Sequence, residues 1–232
     1  MDFFKFDGEV WQRLLALLNY DSASPMTLAS GFFLFAFLLF GIGYMAARNR
    51  RMARTIYVSI ISLYFYYKIS GLFVLLLLFV ATSDYLIGQR IAKRRSESRS
   101  TRGWVTLSMI LNVLILAYFK VGGLMEEAIN NLFGNGTIDL GEILVPAGVS
   151  FFVFQSISYI IDLSRGTINP VKRYVDYLFL LSFFPKVFLG PLVRNKEFIP
   201  QIESESVVVT RDDLGRSVSL IASGLIKYAV IS

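Results

Sequence analysis

Residues 27 to 47, TLASGFFLFAFLLFGIGYMAA, form 21 positions without a charge. At helical rise they extend about 31 Å, enough to cross the hydrocarbon of a bilayer. A removable leader would put basic residues ahead of a shorter apolar core, whereas Asp2, Asp7 and Glu9 precede this one against Lys5. The segment therefore reads as a retained span. Val10, Trp11, Leu14, Leu15 and Leu18 recur at helical spacing before it, which predicts an interfacial helix.

Arg48, Arg50, Arg51 and Arg54 close the first span, and Arg90, Lys93, Arg94, Arg95, Arg99 and Arg102 form a second basic loop. By the positive-inside rule both loops are cytoplasmic, so the N-terminus is outside. Between them, 55–70 and 72–89 read as an apolar hairpin turning near Lys68 and Gly71. The first arm has 13 residues between Arg54 and Lys68, about 20 Å of helix, which predicts a thinned bilayer or an incomplete crossing. A span at 103–120 leads to Lys120 and a predicted break at Gly122-Gly123, then a short amphipathic stretch, Leu124 to Phe133. Further membrane segments follow at 147–163 and 174–193, and another starts at 218–232. The Asn135-Gly136-Thr137 triplet matches a glycosylation acceptor, but a two-glycine turn accounts for it equally simply.

The composition agrees with this outline. Hydrophobic residues make up 55% of the 232, and mean hydropathy is +0.58. The net charge of +6 is concentrated beside apolar runs, which favours membrane orientation over nucleic-acid binding. With no cysteine, disulfide and thiolate chemistry are excluded; with no histidine, the commonest general base is missing too. The sequence contains no metal-ligand pattern. The fold class expected is all-α, one polytopic transmembrane helical body over residues 1–232.

Polar residues inside apolar segments are the functional candidates, because lipid tolerates them only when they face a bundle interior or a wet cavity. In SFFVFQSISYIIDLSRG, residues 150–166, Gln155, Ser158 or Tyr159, Asp162 and Arg165 follow at steps of three and four and share a helical face. Such a stripe fits a lined tunnel; it fits equally a set of interhelical hydrogen bonds with an Asp162–Arg165 pair at the interface. In FFPKVFLGPLVRNKEFIPQ, residues 183–201, Pro185, Gly190 and Pro191 break the helix around Lys186, with Arg194 beyond. Two cations beside a broken helix suit the phosphates or carboxylate of an anionic donor, or else snorkel to the head groups. Asp84 is expected at the interface and Asn112 at a helix contact.

VPAGVSFFVFQSISYIIDLSRG (145–166) followed by FFPKVFLGPLVRNKEFIPQI (183–202) resembles the signature region of the membrane-bound O-acyltransferase family, in its alginate O-acetyltransferase-like branch. The order Pro146, Ser150-Phe151, Gln155, Tyr159, Asp162, Arg165-Gly166, Pro185, Gly190-Pro191 and Arg194 carries it. SLYFYYK (62–68), SDYLIG (83–88) and SGLIKYAVIS (223–232) extend the likeness over nearly all the chain beyond about residue 30. The resemblance implies a helical ring around a tunnel in a bacterial inner membrane. It implies transfer of an acetyl group from a cytoplasmic thioester, acetyl-CoA or an acyl carrier, to a hydroxyl of an extracytoplasmic polysaccharide. A periplasmic acetyltransferase partner is implied too, and no bound cofactor.

Lys186 and Arg194 would line the cytoplasmic mouth; Gln155, Tyr159 and Asp162 would line or brace the tunnel; Pro146, Pro185, Gly190 and Pro191 would shape the backbone. The family's catalytic histidine lies in its second half, and no residue here can stand for it. The expectation is thus a truncated N-terminal portion, inactive alone. A half-subunit or pseudoenzyme completed by another chain is the alternative, and a small transporter a third.

Overall fold

A computed structural model describes residues 31–133, 145–189, 193–205 and 210–231. Nine α-helices occur among them: α1 Gly31–Ala47, α2 Arg51–Ser70, α3 Val74–Ser96, α4 Arg102–Phe133, α5 Val149–Arg165, α6 Tyr174–Ser182, α7 Phe184–Leu189, α8 Asn195–Glu203 and α9 Arg211–Ile231. There is no strand among the described residues, and the all-α expectation holds. The expected interfacial helix at 10–18, the Asn135 triplet, Gly190 and Pro191 lie outside the described residues.

The helical run Arg51–Ser96, interrupted by a 3-10 turn at Gly71–Phe73, and the stretch Arg102–Gly122 are long and apolar enough to cross a bilayer; Phe35–Ala47 is a shorter apolar helix. Leu72, Leu75, Phe79 and Leu86 of the first arm pair, and Leu107, Ile110, Val113 and Leu114 of α4, are exposed. Apolar faces of that extent are disfavoured in water and are what helices present to lipid.

The interior is built on α6. All seven residues from Asp176 to Ser182 are buried, and α6 packs against α2, α3 and α8, while α5 lies against α3 and α4. Leu77, Val80, Ala81 and Ile91 of α3 meet Phe152, Val153, Ile160 and Leu163 of α5 and Leu180 of α6 in one apolar cluster. Tyr159 of α5 comes to within 3.1 Å of where a Cβ on Gly88 would sit, so the glycine lets α3 and α5 approach.

Three elements differ from the sequence outline. Helix α2 begins at Arg51, four residues before the expected start at 55, and has 20 residues, about 30 Å. Arg54, taken as a boundary charge, is 2% exposed; its guanidinium donates to the carbonyls of Arg48, at 3.2 Å, and Ser204. A buried cation satisfied by carbonyls does not have to sit at the head groups. Helix α4 continues through Lys120 and past Gly122-Gly123 to Phe133; a glycine in a helix costs only about 1 kcal/mol, less than the hydrogen bonds lost on breaking it. Asp84, expected at the interface, is fully buried.

The 174–193 segment breaks as expected. Helix α6 stops at Ser182, Phe183 is non-helical, and α7 restarts with Pro185 in its first turn, where a missing N–H costs nothing. The N–H of Phe184 donates to Ser62 Oγ at 3.4 Å. Helix α9 starts in a capping box: the N–H of Asp213 donates to Thr210 Oγ1 at 3.1 Å, and Thr210 donates to Asp213 Oδ2 through its N–H and its hydroxyl. These two bonds from Thr210 hold the Asp213 carboxyl below its usual range.

Gly148 precedes α5 with φ of 74°, and a Cβ there would lie 2.7 Å from the carbonyl oxygen of Val187. Gly148→Ala therefore combines a left-handed backbone penalty of about 1–2 kcal/mol with a backbone clash, and should lower the thermal midpoint in detergent. Gly215→Ala, with nothing within 4 Å of the new Cβ, should be neutral or stabilise by up to about 1 kcal/mol; the pair measured together separates strain from general fragility.

Candidate functional site

Helix α5 carries two polar faces. Residues 155, 158 and 162 stack on one side at helical spacing, and 156 and 159 lie next to them around the barrel of the helix. The first face meets Asn195, the opening residue of α8. Asn195 is fully buried; its Nδ2 donates to Ser158 Oγ at 3.1 Å and to Asp162 Oδ2 at 2.9 Å, while its Oδ1 accepts from Gln155 Nε2 at 2.5 Å. Gln155 and Asp162 are thus brought together through one amide. Between Ser158 and Tyr159, which the sequence left open, it is Ser158 that belongs to this face.

Tyr159 points the other way. Its hydroxyl accepts the N–H of Val171 at 3.1 Å, and its ring packs on Tyr177 with centroids 4.7 Å apart. Next to it, Ser156 Oγ donates to Asp84 Oδ2 at 2.5 Å and sits 2.8 Å from the Tyr177 hydroxyl. Asp84 also accepts from Ser108 Oγ and from Asn112 Nδ2, each at 2.6 Å, so the expected helix contact of Asn112 is made with a carboxylate.

The first face opens at its end into a cleft of about 370 Å³ lined by Ser158, Asp162, Arg165, Thr167, Arg194 and Lys196. Three cations against one carboxylate make it an anion-attracting concavity. Arg194 is exposed and 3.9 Å from Glu197, leaving its guanidinium free to reorient. Asp162 takes its hydrogen bond from Asn195, and no Asp162–Arg165 ion pair forms. The cleft's depth is fixed by the end of α5: Gly166, with φ of 78°, closes the helix, Thr167 N–H bonds back to the Asp162 carbonyl at 2.9 Å, and Arg95 Nη1 lies 3.5 Å from the Leu163 carbonyl.

Lys186 does not line this cleft. It is buried, its Nζ donates to the Leu180 carbonyl at 2.7 Å, and it lies 4.9 Å over the ring of Phe198. The reason is the restart at α7, which turns the lysine under the last turn of α6, where free carbonyls and the negative end of the helix dipole favour a cation. Pro146 is buried at the entrance to α5, and the next N–H, of Ala147, donates to Ser70 Oγ at 3.2 Å. A larger hollow of about 530 Å³ lies between α1, α2, α6 and α8, walled by Phe40, Tyr44, Phe179, Phe183 and Phe198 with Arg54 among its lining.

Arginines from both basic clusters of the sequence tie together segments that are distant along the chain. Arg51 pairs with Asp176 at 2.7 Å, Arg54 reaches Ser204, Arg95 reaches the end of α5, and the loop after α5 is held by bonds from Gln89 Nε2 to the Val171 carbonyl and Tyr85 hydroxyl to the Lys172 carbonyl. Asn195, Lys196, Ser108 and Ser156 are members of these sites that the sequence pattern does not mark. Asn195 lies one residue from Arg194, and Ser156 is hidden because a single serine in an apolar helix is ordinary.

Over 212 residues the chain is 29% identical to a protein named probable alginate O-acetylase AlgI in Pseudomonas aeruginosa, and over 214 residues 30% identical to its namesake in Azotobacter vinelandii; each match takes in 89% of this chain. The chain is homologous to the alginate O-acetylases of the membrane-bound O-acyltransferase family. It is also 24% identical, over 86% of its length, to a protein named peptidoglycan O-acetyltransferase in Helicobacter pylori. The chain spans 40% to 43% of the length of these three relatives. No protein-family model matches it, and no solved structure does.

If Asn195 organises this face of the O-acyltransferase-like body, Asn195→Ala should lower stability by about 1–3 kcal/mol, since Gln155 is left buried with an unmet amide. Asn195→Asp should be worse, because it sets a second carboxylate beside Asp162. Thermal unfolding in detergent compares the two; equal, negligible shifts would remove the amide from its bracing role.

Proposed function

We propose that this chain is the scaffold and donor-side portion of a membrane-bound enzyme that transfers acetyl groups to a hydroxyl of an extracytoplasmic polysaccharide. The relationship over 89% of the chain to proteins named as alginate O-acetylases carries this reading, and the peptidoglycan O-acetyltransferase name widens the acceptor to cell-surface glycans in general. The donor is a cytoplasmic thioester, acetyl-CoA or an acyl carrier. The two arginine-rich loops face the cytoplasm of a bacterial inner membrane, as the positive-inside rule orients them, with the N-terminus outside.

On this reading the cleft bearing Arg165, Arg194 and Lys196 receives the phosphates of the donor, with charge-assisted hydrogen bonds fixing its handle while the acyl end enters the bundle. Asp162, held by Asn195, keeps the anion to the cationic side by repulsion. Lys186 braces the broken helix by binding the end of α6. In the reaction the acceptor hydroxyl attacks the thioester carbonyl, a base takes its proton, and the thiolate leaves; an ester replaces the thioester. That base lies outside these 232 residues, which contain no histidine, so the chain by itself is inactive. A periplasmic acetyltransferase working with the complete enzyme fits an acceptor on the far side.

The test is acetyl transfer by the full-length enzyme in membranes with a phosphate-bearing thioester donor. Arg194→Ala and Lys196→Ala should each raise KM for the donor about tenfold, the equivalent of ~1.4 kcal/mol, with kcat changed much less. Donor KM unchanged in both variants at normal expression would take the cleft out of donor binding.

A further inference from the structure

The hollow of about 530 Å³ between α1, α2, α6 and α8 is separate from the donor cleft, and its lining is of two kinds. Phe40, Phe179, Phe183 and Phe198 make an aromatic wall. The last three have ring centroids 5.3 to 5.9 Å apart, and Phe40 stacks on Tyr57 at 5.7 Å. Rings held by one another in this way leave the hollow preformed, and its volume falls in the range of roughly 300–1,000 Å³ found for small-ligand pockets. The polar lining, Tyr44, Arg54, Gln201 and Ser204, lies toward the connection between α1 and α2. Tyr44 is in the last turn of α1, Arg54 in the first turn of α2, and Ser204, which accepts from Arg54, just past the end of α8; Phe40 and Val58 are a turn farther in.

Arg54 decides what this space suits. It is 2% exposed and belongs to the wall of the hollow. The carbonyls of Arg48 and Ser204 take two of its five N–H donors but bring no charge, and a guanidinium does not shed its proton to become neutral. Arg51, three residues earlier on the same helix, has the Asp176 carboxylate at 2.7 Å, whereas among the described residues no carboxylate pairs with Arg54. A buried charge calls for a counter-charge, and the hollow is where one can enter. Arg48 and Arg50, in the connection beside it, repel any cationic group that approaches. On its other side α1 exposes Leu38, Leu39, Ile42 and Met45, so the hollow adjoins a surface suited to lipid.

We propose that the hollow binds one anionic phospholipid of the surrounding bilayer, its phosphate on the Arg54 guanidinium and one acyl chain against Phe40, Phe179, Phe183 and Phe198. The phosphate accepts charge-assisted hydrogen bonds from the N–H groups that the two carbonyls leave over. The head group has to carry net negative charge, because a zwitterionic one brings its ammonium up to Arg48 and Arg50. Helix α1 packs against α2, and a lipid lying between it and the walls from α6 and α8 joins it to the rest of the bundle.

The experiment uses the purified protein in micelles of a neutral detergent, titrated with phosphatidylglycerol, with phosphatidylcholine of the same acyl chains, or with oleate. The thermal midpoint is followed, and retained lipid is counted by native mass spectrometry. The expected result is one phosphatidylglycerol per chain and a midpoint that rises and saturates with it, phosphatidylcholine requiring at least tenfold more. Arg54→Gln should raise half-saturation by phosphatidylglycerol about tenfold, while Arg99→Gln, an exposed arginine paired with Glu97, should leave it unchanged. Should Arg54→Gln fail to fold, Gln201→Trp sets a ring in the hollow with Arg54 intact and should lose the retained lipid. Equal shifts in the two arginine variants would overturn the proposal by reducing the effect to general attraction to a basic surface. Equal retention of the two phospholipids, or displacement of phosphatidylglycerol by an equal concentration of oleate, would overturn it too. So would a protein that retains no lipid, whose hollow is then filled by protein.

Discussion

Asp84 is a carboxylate placed where neither water nor a basic side chain reaches it, and the positions of four helices follow from that. Its two oxygens accept from Ser108, Asn112 and Ser156 at 2.5 to 2.6 Å, distances that tolerate little sliding of α4 or α5 against α3. Between lipid-immersed helices there is no hydrophobic difference to hold one register over another, so such polar contacts decide it. The apolar cluster of Leu77, Val80, Phe152 and Leu180 then fills the space that the hydrogen bonds define.

The second polar face of α5 depends on the first. With Ser156 and Tyr159 committed to α3 and α6, the face bearing Gln155, Ser158 and Asp162 has to turn toward α8, and Asn195 satisfies it. That rotation leaves Asp162, Arg165 and Arg194 on the wall of one open cleft, with Lys196 from the first turn of α8. The broken α6–α7 segment adds its own constraint. Stopping at Ser182 leaves carbonyls free in the buried interior of the bundle, and Lys186 supplies a donor to one of them. A lysine that seems a candidate for ligand binding is therefore tied to the backbone, while Arg194, past the break, stays exposed.

The fold class, the two long apolar helical runs and the broken helix were legible because each depends on local chemistry: the length of uncharged runs, the proline at 185, the clustering of arginine. The stripe of Gln155 and Asp162 was legible because helical periodicity is a local property too. Two extents were misjudged for the same reason. Arg54 and Gly122-Gly123 look like boundaries along the chain, but a guanidinium can be satisfied by distant carbonyls, here those of Arg48 and Ser204, and a glycine pair can be carried through a long helix by its neighbours.

By itself, then, the sequence determined that this is a helical membrane protein with a polar seam and related it to the O-acyltransferases, since hydropathy and motif spacing survive without coordinates. Only the tertiary structure decided which polar residues meet. It buried Asp84 instead of leaving it at the interface, chose Ser158 over Tyr159 for the cleft face, separated Lys186 from Arg194, and brought in Asn195. The physical reason is that a buried hydrogen bond is a property of two elements at a definite rotation and register, and those are set by the packing of the whole bundle.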